Sequence, residues 1–481
     1  MCYTEPMEGT RRQQEYIAQA APVLTRLEEA GFEAYLVGGC VRESLREEVS
    51  PEEGAKASPA SLTDLDVTTS ALPEETAQVF SDWPVIETGI KHGTVTVLMP
   101  PRRPVEITTY RWDGPYSDGR HPDEVRFVRS LTEDLSRRDF TMNAMALSLR
   151  GELVDPFGGQ EDLRRGLIRT VGDPRVRFKE DGLRILRALR FAAVLDARVE
   201  EETGRALMEC SHLLEGISAE RIYAELKKLL CGKAAGRILR QYTPVLEQIL
   251  PELTPMKGFE QHNPYHRYDV LEHCIRTVEA VEAPPDGDEA VKAPPEREAV
   301  MKLAALLHDA GKPETFFRDE EGIGHFYGHP EAGAAIVRRV MKRLKADRAA
   351  AERVETLIRH HDLHFEEDDR LLKRWMGRYT PEILLEILAL KRADNIATGN
   401  VTAELLVKFD RIRDRIYGIL DEGDCITLAE LAVGGRDLLA LGAEEGPLLG
   451  EILRDLLDKV IEGDLPNERE ALLAEAKRRI E

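Results

Sequence analysis

Two aspartates, Asp64 and Asp66, stand two residues apart in the stretch SLTDLDVTTS, residues 61–70. The β-branched residues around them predict a strand, in which side chains two apart point to the same face. Carboxylates on one face repel each other unless a cation lies between them, and such hard oxygen ligands suit Mg²⁺ shared with substrate phosphates. The pair therefore indicates a magnesium site, although a lone Asp-x-Asp is also typical of a solvated strand end.

A glycine pair precedes the aspartates in the stretch YLVGGCVRESL, residues 35–45. The pattern predicts a strand that ends at Gly38 and Gly39 and continues into a helix. Bare backbone amides at a helix N-terminus attract anions, and Arg42 stands one turn into that helix. A tight packing turn uses the same residues. Together with the carboxylates, however, they describe a triphosphate held by amides, a guanidinium and metal ions.

The elements that position these residues change character along the chain. The first third contains short apolar strands, with period-2 alternation at Val95 and Val97 and again at Val105 and Ile107. From about residue 175 onward the apolar spacing predicts helices almost throughout. The fold class is therefore α+β: a mixed or antiparallel sheet with helices, followed by all-α regions. Gly-, Pro- and Asp-rich stretches predict loops at residues 47–61, 113–124 and 282–298.

The charge of the chain is unevenly distributed. The 481 residues carry a net charge of −22, which argues against general affinity for a phosphate backbone. Residues 161–190 have the opposite sign, with nine Arg or Lys and five Asp or Glu. This segment is a candidate phosphate-binding surface, and a helix laced with ion pairs is the alternative.

The chain lacks the marks of a secreted or membrane protein. No apolar run approaches the roughly 18 residues that a membrane span needs, and the N-terminus has no apolar signal core. We expect a cytoplasmic protein without a membrane partner. The cysteines contain no C-x-x-C pair, so neither a disulfide framework nor a thiolate zinc site is indicated; they are Cys2, Cys40, Cys210, Cys231, Cys274 and Cys425.

Ordered motifs cover nearly the whole chain. They are LVGGCVRESL, DLDVTTSALPEE, HPDEVRFVRSLTEDLSRRDFTMNAMAL, DPFGGQEDL, IRTVGDP, RFKEDGLRILRALRF, ERI and GDLPNEREALL. In this order they resemble the bacterial class of the tRNA nucleotidyltransferase and poly(A) polymerase family, in the polymerase-β superfamily. Two features depart from the family pattern: Glu43 stands where the family usually has Asp, and the segment before Asp64 is longer.

The resemblance implies a set of site residues. Asp64 and Asp66 would hold two Mg²⁺ ions, and Glu106 stands where related folds place a third carboxylate. The residues implied to bind the nucleotide are Gly38, Gly39, Arg42, Arg138, Asp139, Asn143, Asp181, Arg184 and Arg187. The loop at residues 113–119 lies where the family carries a mobile element required for adding A.

Asp181 and Arg184 have the chemistry to select a base. They are three apart on a predicted helix, so both side chains should lie on one face. A carboxylate accepts from an exocyclic amino group, and a guanidinium donates to a ring nitrogen. Cytosine and adenine offer both groups on one edge, whereas uracil and guanine offer a carbonyl beside an N–H. The pair could therefore accept CTP and ATP and reject UTP and GTP; the alternative is a surface ion pair.

A second group of potential metal ligands consists of His273, His308, Asp309 and Asp394, all on predicted helices. In this order it resembles the HD metal-dependent phosphohydrolase superfamily, and the donor types suit Mn²⁺, Ni²⁺, Fe or Zn²⁺. A second metal position could be completed by His329 and by His360 or His361. The resemblance implies hydrolysis of 2′,3′-cyclic phosphates or phosphomonoesters at RNA ends, and an inherited packing or tRNA-binding surface is the alternative.

Together these patterns predict template-independent addition of C, C and A to tRNA 3′ ends from CTP and ATP. The predicted domains are a nucleotidyltransferase head at residues 1–160, a helical neck at 161–255, an HD domain at 256–400 and a helical tail at 401–481. The alternatives are a poly(A) polymerase on the same scaffold and an HD phosphohydrolase with a non-catalytic, RNA-binding head. A nucleotide-signalling synthetase and hydrolase usually carries its HD part first, and the oligomeric state stays open.

Overall fold

The structure, a computed structural model, describes residues 10–49, 64–86, 88–114, 116, 119, 122–282 and 295–480. The predicted loop at 47–61 lies outside the described residues from residue 50 onward, as do 283–294 of the predicted connection. Contacts divide the chain into two compact units, residues 1–249 and 250–481. The finer division into head, neck, HD domain and tail stays a prediction.

The first unit is built on a sheet of seven strands in the order β3-β4-β5-β2-β1-β8-β9. Strand β2 pairs with β5 in parallel, and the other pairs in this sheet are antiparallel. The predicted mixed sheet is thus confirmed. Its strands are β1 (Ala34–Val37), β2 (Leu65–Thr69), β3 (Val85–Ile86), β4 (Thr94–Met99), β5 (Arg103–Thr109), β8 (Ala146–Leu147) and β9 (Leu153–Val154). Shorter pairs are formed by β6 (Arg111–Asp113) with β7 (Val125–Phe127) and by β10 (Leu167–Ile168) with β11 (Arg198–Val199).

The alternation that predicts β4 and β5 has a direct structural cause. Val95, Val97, Val105 and Ile107 are buried in one core with β2 and the first helix, while the residues between them face the other side. Each such apolar side chain contributes about 1.5–3 kcal/mol when fully buried. A shift of the register by one residue would expose all four, so the sheet fixes which residues of β2 and β5 face the same way.

Eleven α-helices among the described residues surround and follow this sheet in the first unit. They are α1 (Arg11–Glu29), α2 (Gly39–Val49), α3 (Pro73–Val79), α4 (Leu131–Ser136), α5 (Gly159–Arg164), α6 (Pro174–Glu180), α7 (Leu183–Val194), α8 (Glu201–Glu209), α9 (Ala219–Leu230), α10 (Ala235–Gln241) and α11 (Thr243–Leu246). Thr10 and Gln13 form a capping box that starts α1, with reciprocal hydrogen bonds of 3.1 and 2.7 Å.

The second unit is almost entirely helical, as predicted. Its described helices are α12 (Val270–Ala280), α13 (Pro295–Leu307), α14 (Lys312–Thr315), α15 (His329–Arg343), α16 (Arg348–His360), α17 (Asp369–Tyr379), α18 (Pro381–Ala397), α19 (Ala403–Glu422), α20 (Gly435–Ala440), α21 (Pro447–Glu462) and α22 (Arg469–Ile480). One hairpin interrupts them, formed by β12 (Phe317–Arg318) and β13 (Gly324–His325). None of the described helices has the length and apolar character needed to cross a bilayer.

Two details of the helix prediction were wrong. Asp181 and Arg184 do not share a helix, because Asp181 has extended backbone (φ −146°, ψ 105°) between α6 and α7. The next residue, Gly182, packs so closely that an added Cβ would lie 2.9 Å from the carbonyl oxygen of Leu213. His308 and Asp309 follow the end of α13 and lie in a turn that includes a hydrogen bond from Ala310 N to Leu307 O.

Candidate active site and candidate metal centre

The first unit contains a cavity of about 680 Å³ that collects the predicted nucleotide-binding residues. All nine line it, together with Asp64 and Asp66: Gly38, Gly39, Arg42, Arg138, Asp139, Asn143, Asp181, Arg184 and Arg187. They come from segments up to 149 residues apart, so only the tertiary fold brings them together. Glu106 does not line this cavity.

Glu106 is nevertheless placed beside Asp66. The two residues are register partners on the parallel strands β2 and β5, and Asp64 immediately precedes β2. Burial and the charge of Glu106 raise the pKa of Asp66 to about 6, with a smaller contribution from Asp64, although the Arg138 charge opposes the shift. At Asp66, the repulsion from the Glu106 charge thus exceeds the attraction from the Arg138 charge. This donor set fits hard divalent cations such as Mg²⁺.

Gly38 allows the backbone to approach the carboxylates. Its φ of +73° lies in the left-handed region that favours glycine. An added Cβ would lie 3.4 Å from Asp66 Oδ2 and 3.5 Å from Arg138 Nη1, within the space that a ligand shares with these groups. Gly39 begins α2, and its backbone is therefore at the positive end of a helix dipole.

A chain of hydrogen bonds joins α2 to α7 across the cavity. Arg42 donates to Asn143 Oδ1 over 2.7 Å, and Asn143 Nδ2 donates to Asp139 Oδ1 over 2.9 Å. Arg187 Nε donates to Asp139 Oδ2 over 2.8 Å. Burial would raise the pKa of Asp139, but the charge of Arg187 and the Asn143 hydrogen bond outweigh it and hold that pKa far below its usual range. Asp139 thus stays charged and braces Arg187.

Asp181 and Arg184 line the same cavity but do not pair with each other. Asp181 Oδ1 accepts from Leu183 N over 3.0 Å, and its Oδ2 accepts from Arg221 over 2.7 Å. Arg184 donates to Glu180 over 2.5 Å and to the Arg137 carbonyl over 3.1 Å. The alternative of a surface ion pair between Asp181 and Arg184 is therefore wrong, because each has a different partner that orients it.

The cavity is basic in an acidic protein. Eight cationic side chains line it against four carboxylates. Five of the eight come from the basic segment at 161–190 or from α9; the cations are Arg42, Arg137, Arg138, Arg184, Arg187, Arg190, Arg221 and Lys228. Arg42, Arg187 and Arg190 also lie over the ring of Phe191, at 4.9, 5.5 and 3.7 Å from its centroid. Such a surface suits a triphosphate.

Comparison with known proteins agrees with this geometry. A family model described as "Poly A polymerase head domain" matches residues 34–169, and "tRNA nucleotidyltransferase domain 2" matches 327–476. The chain is 34% identical to a CCA-adding enzyme of Streptococcus gordonii over 95% of this chain and 96% of that protein. It is 35% identical to a CCA-adding enzyme of Enterococcus faecalis over 96% of this chain and 95% of that protein.

The chain belongs to the CCA-adding enzyme family. It is a nucleotidyltransferase. Among solved structures, it is similar to the Bacillus stearothermophilus CCA-adding enzyme in complex with CTP, with a TM-score of 0.68 and 28% identity over 98% of both chains. An "RNA and SrmB-binding site of polymerase A" model also matches, at residues 197–257.

The second unit of this family member contains another cavity, of about 540 Å³. Two groups of potential metal ligands share Asp309, which lines this cavity: one contains His329 and His361, which line it too, and the other contains His273 and His308, which are fully buried beside it. Asp309 Oδ2 lies 3.4 Å from His273 Nε2 and 3.3 Å from His308 Nε2. Asp309 Oδ1 lies 3.5 Å from His329 Nε2 and 3.8 Å from His361 Nε2. Asp309 therefore presents one oxygen to each pair of histidines, so its carboxylate can serve two metal positions.

Hydrogen bonds to backbone carbonyls orient the rings of three of these histidines. Nδ1 of His308 lies 2.9 Å from the Ala305 carbonyl, Nδ1 of His329 lies 2.9 Å from that of Phe326, and Nδ1 of His361 lies 2.6 Å from that of Ile358. A carbonyl can only accept, so Nδ1 donates in each of these hydrogen bonds. Nε2 is then the ring nitrogen that faces Asp309, and its lone pair can bind a metal ion once this nitrogen carries no proton.

Asp394 completes the first group from α18. Its Oδ1 lies 2.9 Å from His273 Nε2 and 3.7 Å from His308 Nε2. His308 Nε2 makes no hydrogen bond with a described residue, although it is fully buried between two carboxylates. Burial opposes its charged form, but the Asp309 charge raises the pKa of His308 well above its usual value, so a proton and a metal ion compete for this nitrogen. The donor set fits a divalent transition metal.

The sequence offered His360 or His361 for the second metal position, and the structure places His361 rather than His360 beside Asp309. His361 faces Asp309 and His329, whereas His360 packs on the Tyr379 ring with centroids 4.7 Å apart. Adjacent residues at a helix end point about 100° apart, so only one of the two can face the cavity. Sequence reasoning also missed Arg221 and Phe191. The motif containing Arg221 was recognised, but its contact with Asp181 spans 40 residues and has no local signal.

Proposed function

We propose that this chain adds C, C and A to tRNA 3′ ends from CTP and ATP. One observation carries the proposal: the carboxylates, the glycine turn, the arginines and the base-reading pair all line a single cavity. The family to which the chain belongs is named for the same reaction. The proposed tRNA substrate is consistent with a location in the cytoplasm, which is part of the proposal.

The chain's own residues would divide the work as follows. Asp64, Asp66 and Glu106 hold the cations, and the Gly38–Gly39 backbone and Arg42 receive the phosphates. Magnesium supplies charge neutralisation at the leaving pyrophosphate and makes the RNA 3′-hydroxyl easier to deprotonate. Because in-line phosphoryl transfer needs positioning more than covalent help, the rigid hydrogen-bond chain through Asn143 and Asp139 serves catalysis by fixing the arginines.

Base selection is assigned to Asp181 and Arg184. Asp181 would accept the exocyclic amino group that cytosine and adenine share, and Arg184 would donate to the neighbouring ring nitrogen. Arg184 is 9% exposed, so a uracil or guanine that left these groups unpaired would cost free energy. Because the hydrogen bonds to Arg221 and Glu180 hold both side chains in place, the pocket can discriminate without a template strand.

Incorporation assays test this proposal. We expect the full chain to extend a tRNA lacking its CCA end by three nucleotides when CTP and ATP are supplied, and to ignore UTP and GTP. Asp64→Ala should abolish incorporation, while Asp196→Ala, which changes a carboxylate exposed on the surface, should not. Long A tails made without CTP would instead identify a poly(A) polymerase, and unchanged incorporation by Asp64→Ala would leave the head without a catalytic role.

We further propose that the second cavity binds a divalent transition metal and hydrolyses phosphate esters at RNA ends. The shared carboxylate of Asp309 and the inward-facing Nε2 atoms support metal binding. Lys312 and Lys391 also line the cavity and supply positive charge for a phosphate. The assay is hydrolysis of a 2′,3′-cyclic nucleotide with Mn²⁺, Ni²⁺, Fe²⁺ or Zn²⁺, which His308→Ala should abolish. Failure of all four metals would contradict the hydrolase.

A further inference from the structure

One aromatic ring lies among the cations of the nucleotidyltransferase cavity. Phe191 of α7 lines this cavity and is 4% exposed. The guanidinium carbons of Arg42, Arg187 and Arg190 lie over the ring, at 4.9, 5.5 and 3.7 Å from its centroid. All three distances are within the roughly 6 Å over which a ring face attracts a cation. The ring thus lies beside cations from two helices, α2 and α7.

Each of these three guanidiniums also pairs with a carboxylate. The pairs are Arg42 with Glu43 at 3.1 Å, Arg187 with Asp139 at 2.8 Å and Arg190 with Glu225 at 2.7 Å. The carboxylates come from α2, from the segment after α4 and from α9. Each carboxylate pairs with one of the three guanidiniums, whereas the ring is shared by all of them. The ring of Phe191 is therefore a neighbour that the three cations have in common.

Packing against Phe140 fixes the orientation of the Phe191 ring. The two rings meet edge to face, with centroids 5.7 Å apart and planes at 81°. Phe140 is fully buried, so the Phe191 ring cannot turn without disturbing close-packed neighbours. The negative potential of its face then attracts guanidiniums that would otherwise repel one another. Because this attraction needs no ligand, the cations are in place before a triphosphate arrives.

We propose that Phe191 is a positioning residue of the nucleotidyltransferase cavity, whose ring holds the three guanidiniums together so that they bind the triphosphate of a nucleotide jointly. The inference rests on the proposed nucleotide addition and concerns the triphosphate rather than the base. The base is assigned to Asp181 and Arg184, so loss of the ring should leave the choice of base unchanged. A hydrocarbon side chain of similar size would fill the same space but would not attract the guanidiniums.

Binding of inorganic tripolyphosphate to the full chain in Mg²⁺ tests the inference without a base, a tRNA or turnover. Pentafluorophenylalanine at position 191 keeps the shape of the ring nearly unchanged but removes the negative potential of its face. We expect it to weaken tripolyphosphate binding about 5- to 50-fold by isothermal titration calorimetry, and 4-fluorophenylalanine to cause a smaller loss. Phe191→Met, which approximately keeps the volume but has no π-face, should cause a loss as large as that of pentafluorophenylalanine.

A matched control is Phe80→Met, which removes another buried ring, in the core beneath the seven-stranded sheet. It should leave tripolyphosphate binding unchanged, and thermal unfolding shows whether both methionine variants are folded. The fluorinated variants decide the test if Phe191→Met does not fold. Unchanged binding by the pentafluorophenylalanine variant would overturn the inference, and so would an equal loss of binding in Phe80→Met.

Nucleotide incorporation separates this inference from the proposed function. In Phe191→Met, KM for CTP and for ATP should rise together with the dissociation constant of tripolyphosphate, while KM for tRNA and the preference for CTP over UTP stay unchanged. A lower kcat with unchanged KM for both nucleotides would show a merely structural role and contradict the inference. A wild-type chain that binds tripolyphosphate but adds no nucleotide would refute the proposed function alone, and weaker binding by the fluorinated variants would still support the role of the ring.

Discussion

The guanidinium of Arg221 donates a hydrogen bond to Asp181 Oδ2 over 2.7 Å, so a residue of α9 orients the carboxylate proposed to read the base. Removing Arg221 should leave Asp181 in the cavity, held by the Leu183 N–H at Oδ1 but with no partner to orient Oδ2. We expect Arg221→Ala to lower the preference for CTP over UTP by about 10- to 100-fold, the equivalent of roughly 1–3 kcal/mol. The measurement is kcat/KM for each nucleotide on a tRNA lacking its end.

A matched control is Arg205→Ala, which removes an exposed arginine of α8 that pairs with Glu201 and Glu202 of the same helix. It should leave the nucleotide preference unchanged. An alternative result is that Arg221→Ala lowers kcat equally for all nucleotides and keeps the preference for CTP over UTP. That result would show that Arg221 supports the fold around α9 and not base selection.

Substitution of Asn143 should lower kcat/KM for CTP and for ATP to the same extent. It accepts from Arg42 and donates to Asp139, so Asn143→Ala leaves a guanidinium and a buried carboxylate each short of a partner. We expect kcat/KM for CTP and for ATP to fall together by about 10- to 100-fold, because phosphate positioning is lost while base reading is kept. A change confined to one nucleotide would show that Asn143 contacts the base instead.

In the metal-free protein, the charged carboxylate of Asp66 should lower the free energy of unfolding at neutral pH. Its folded pKa of about 6 lies above the ordinary value of 3.8, so the folded state binds the proton more tightly than the unfolded chain does. Stability from this group is therefore greatest below about pH 4 and is lost as pH rises through about 6. In EDTA at pH 7.5, Asp66→Asn should raise the free energy of unfolding by about 1–3 kcal/mol, and the gain should vanish near pH 4.

Denaturant unfolding at the two pH values checks this prediction, with Asp196→Asn as the control for loss of an exposed carboxylate. The same Asp66→Asn variant should be inactive in nucleotide incorporation. A variant that is less stable than the wild type at pH 7.5 would show that the carboxylate is stabilised by its neighbours, contrary to the repulsion described for β2 and β5.

The adjacent histidines His360 and His361 provide an internal control for the metal centre. Only His361 faces Asp309, so His361→Ala should lower the metal content measured by elemental analysis, while His360→Ala should leave it near that of the wild type. Loss of one ligand typically weakens a site by at least tenfold, as second-sphere changes already cost 10- to 100-fold. Equal metal contents in both variants would remove His361 from the site.

Local patterns predicted much of the fold. The alternation at Val95 and Val97 marks β4 because one face of that strand is buried, and the apolar spacing at 219–230 marks α9 for the same reason. Periodicity could not predict the break at Asp181, since the cause is the close packing of Gly182 against the Leu213 carbonyl, 31 residues away. It also could not choose between His360 and His361, because a dipeptide offers both and only packing selects one.

The candidate site was predictable where a motif names its residues and unpredictable where tertiary contacts orient them. The nine nucleotide-binding residues and both aspartates could be named from the sequence because each belongs to a recognisable motif. The structure brings all of them to one cavity. The distant partners that hold them, such as Arg221 for Asp181 and the Arg137 carbonyl for Arg184, follow only from the tertiary fold.

Anomalous diffraction from crystals of the full chain soaked with CTP and Mn²⁺ tests most directly whether Asp64 and Asp66 hold the catalytic cations. We expect a manganese peak at roughly 2 Å from oxygens of both aspartates, bridging them to the triphosphate. CTP bound in the cavity with its phosphates away from these carboxylates, or a metal peak that neither aspartate contacts, would contradict the proposed mechanism.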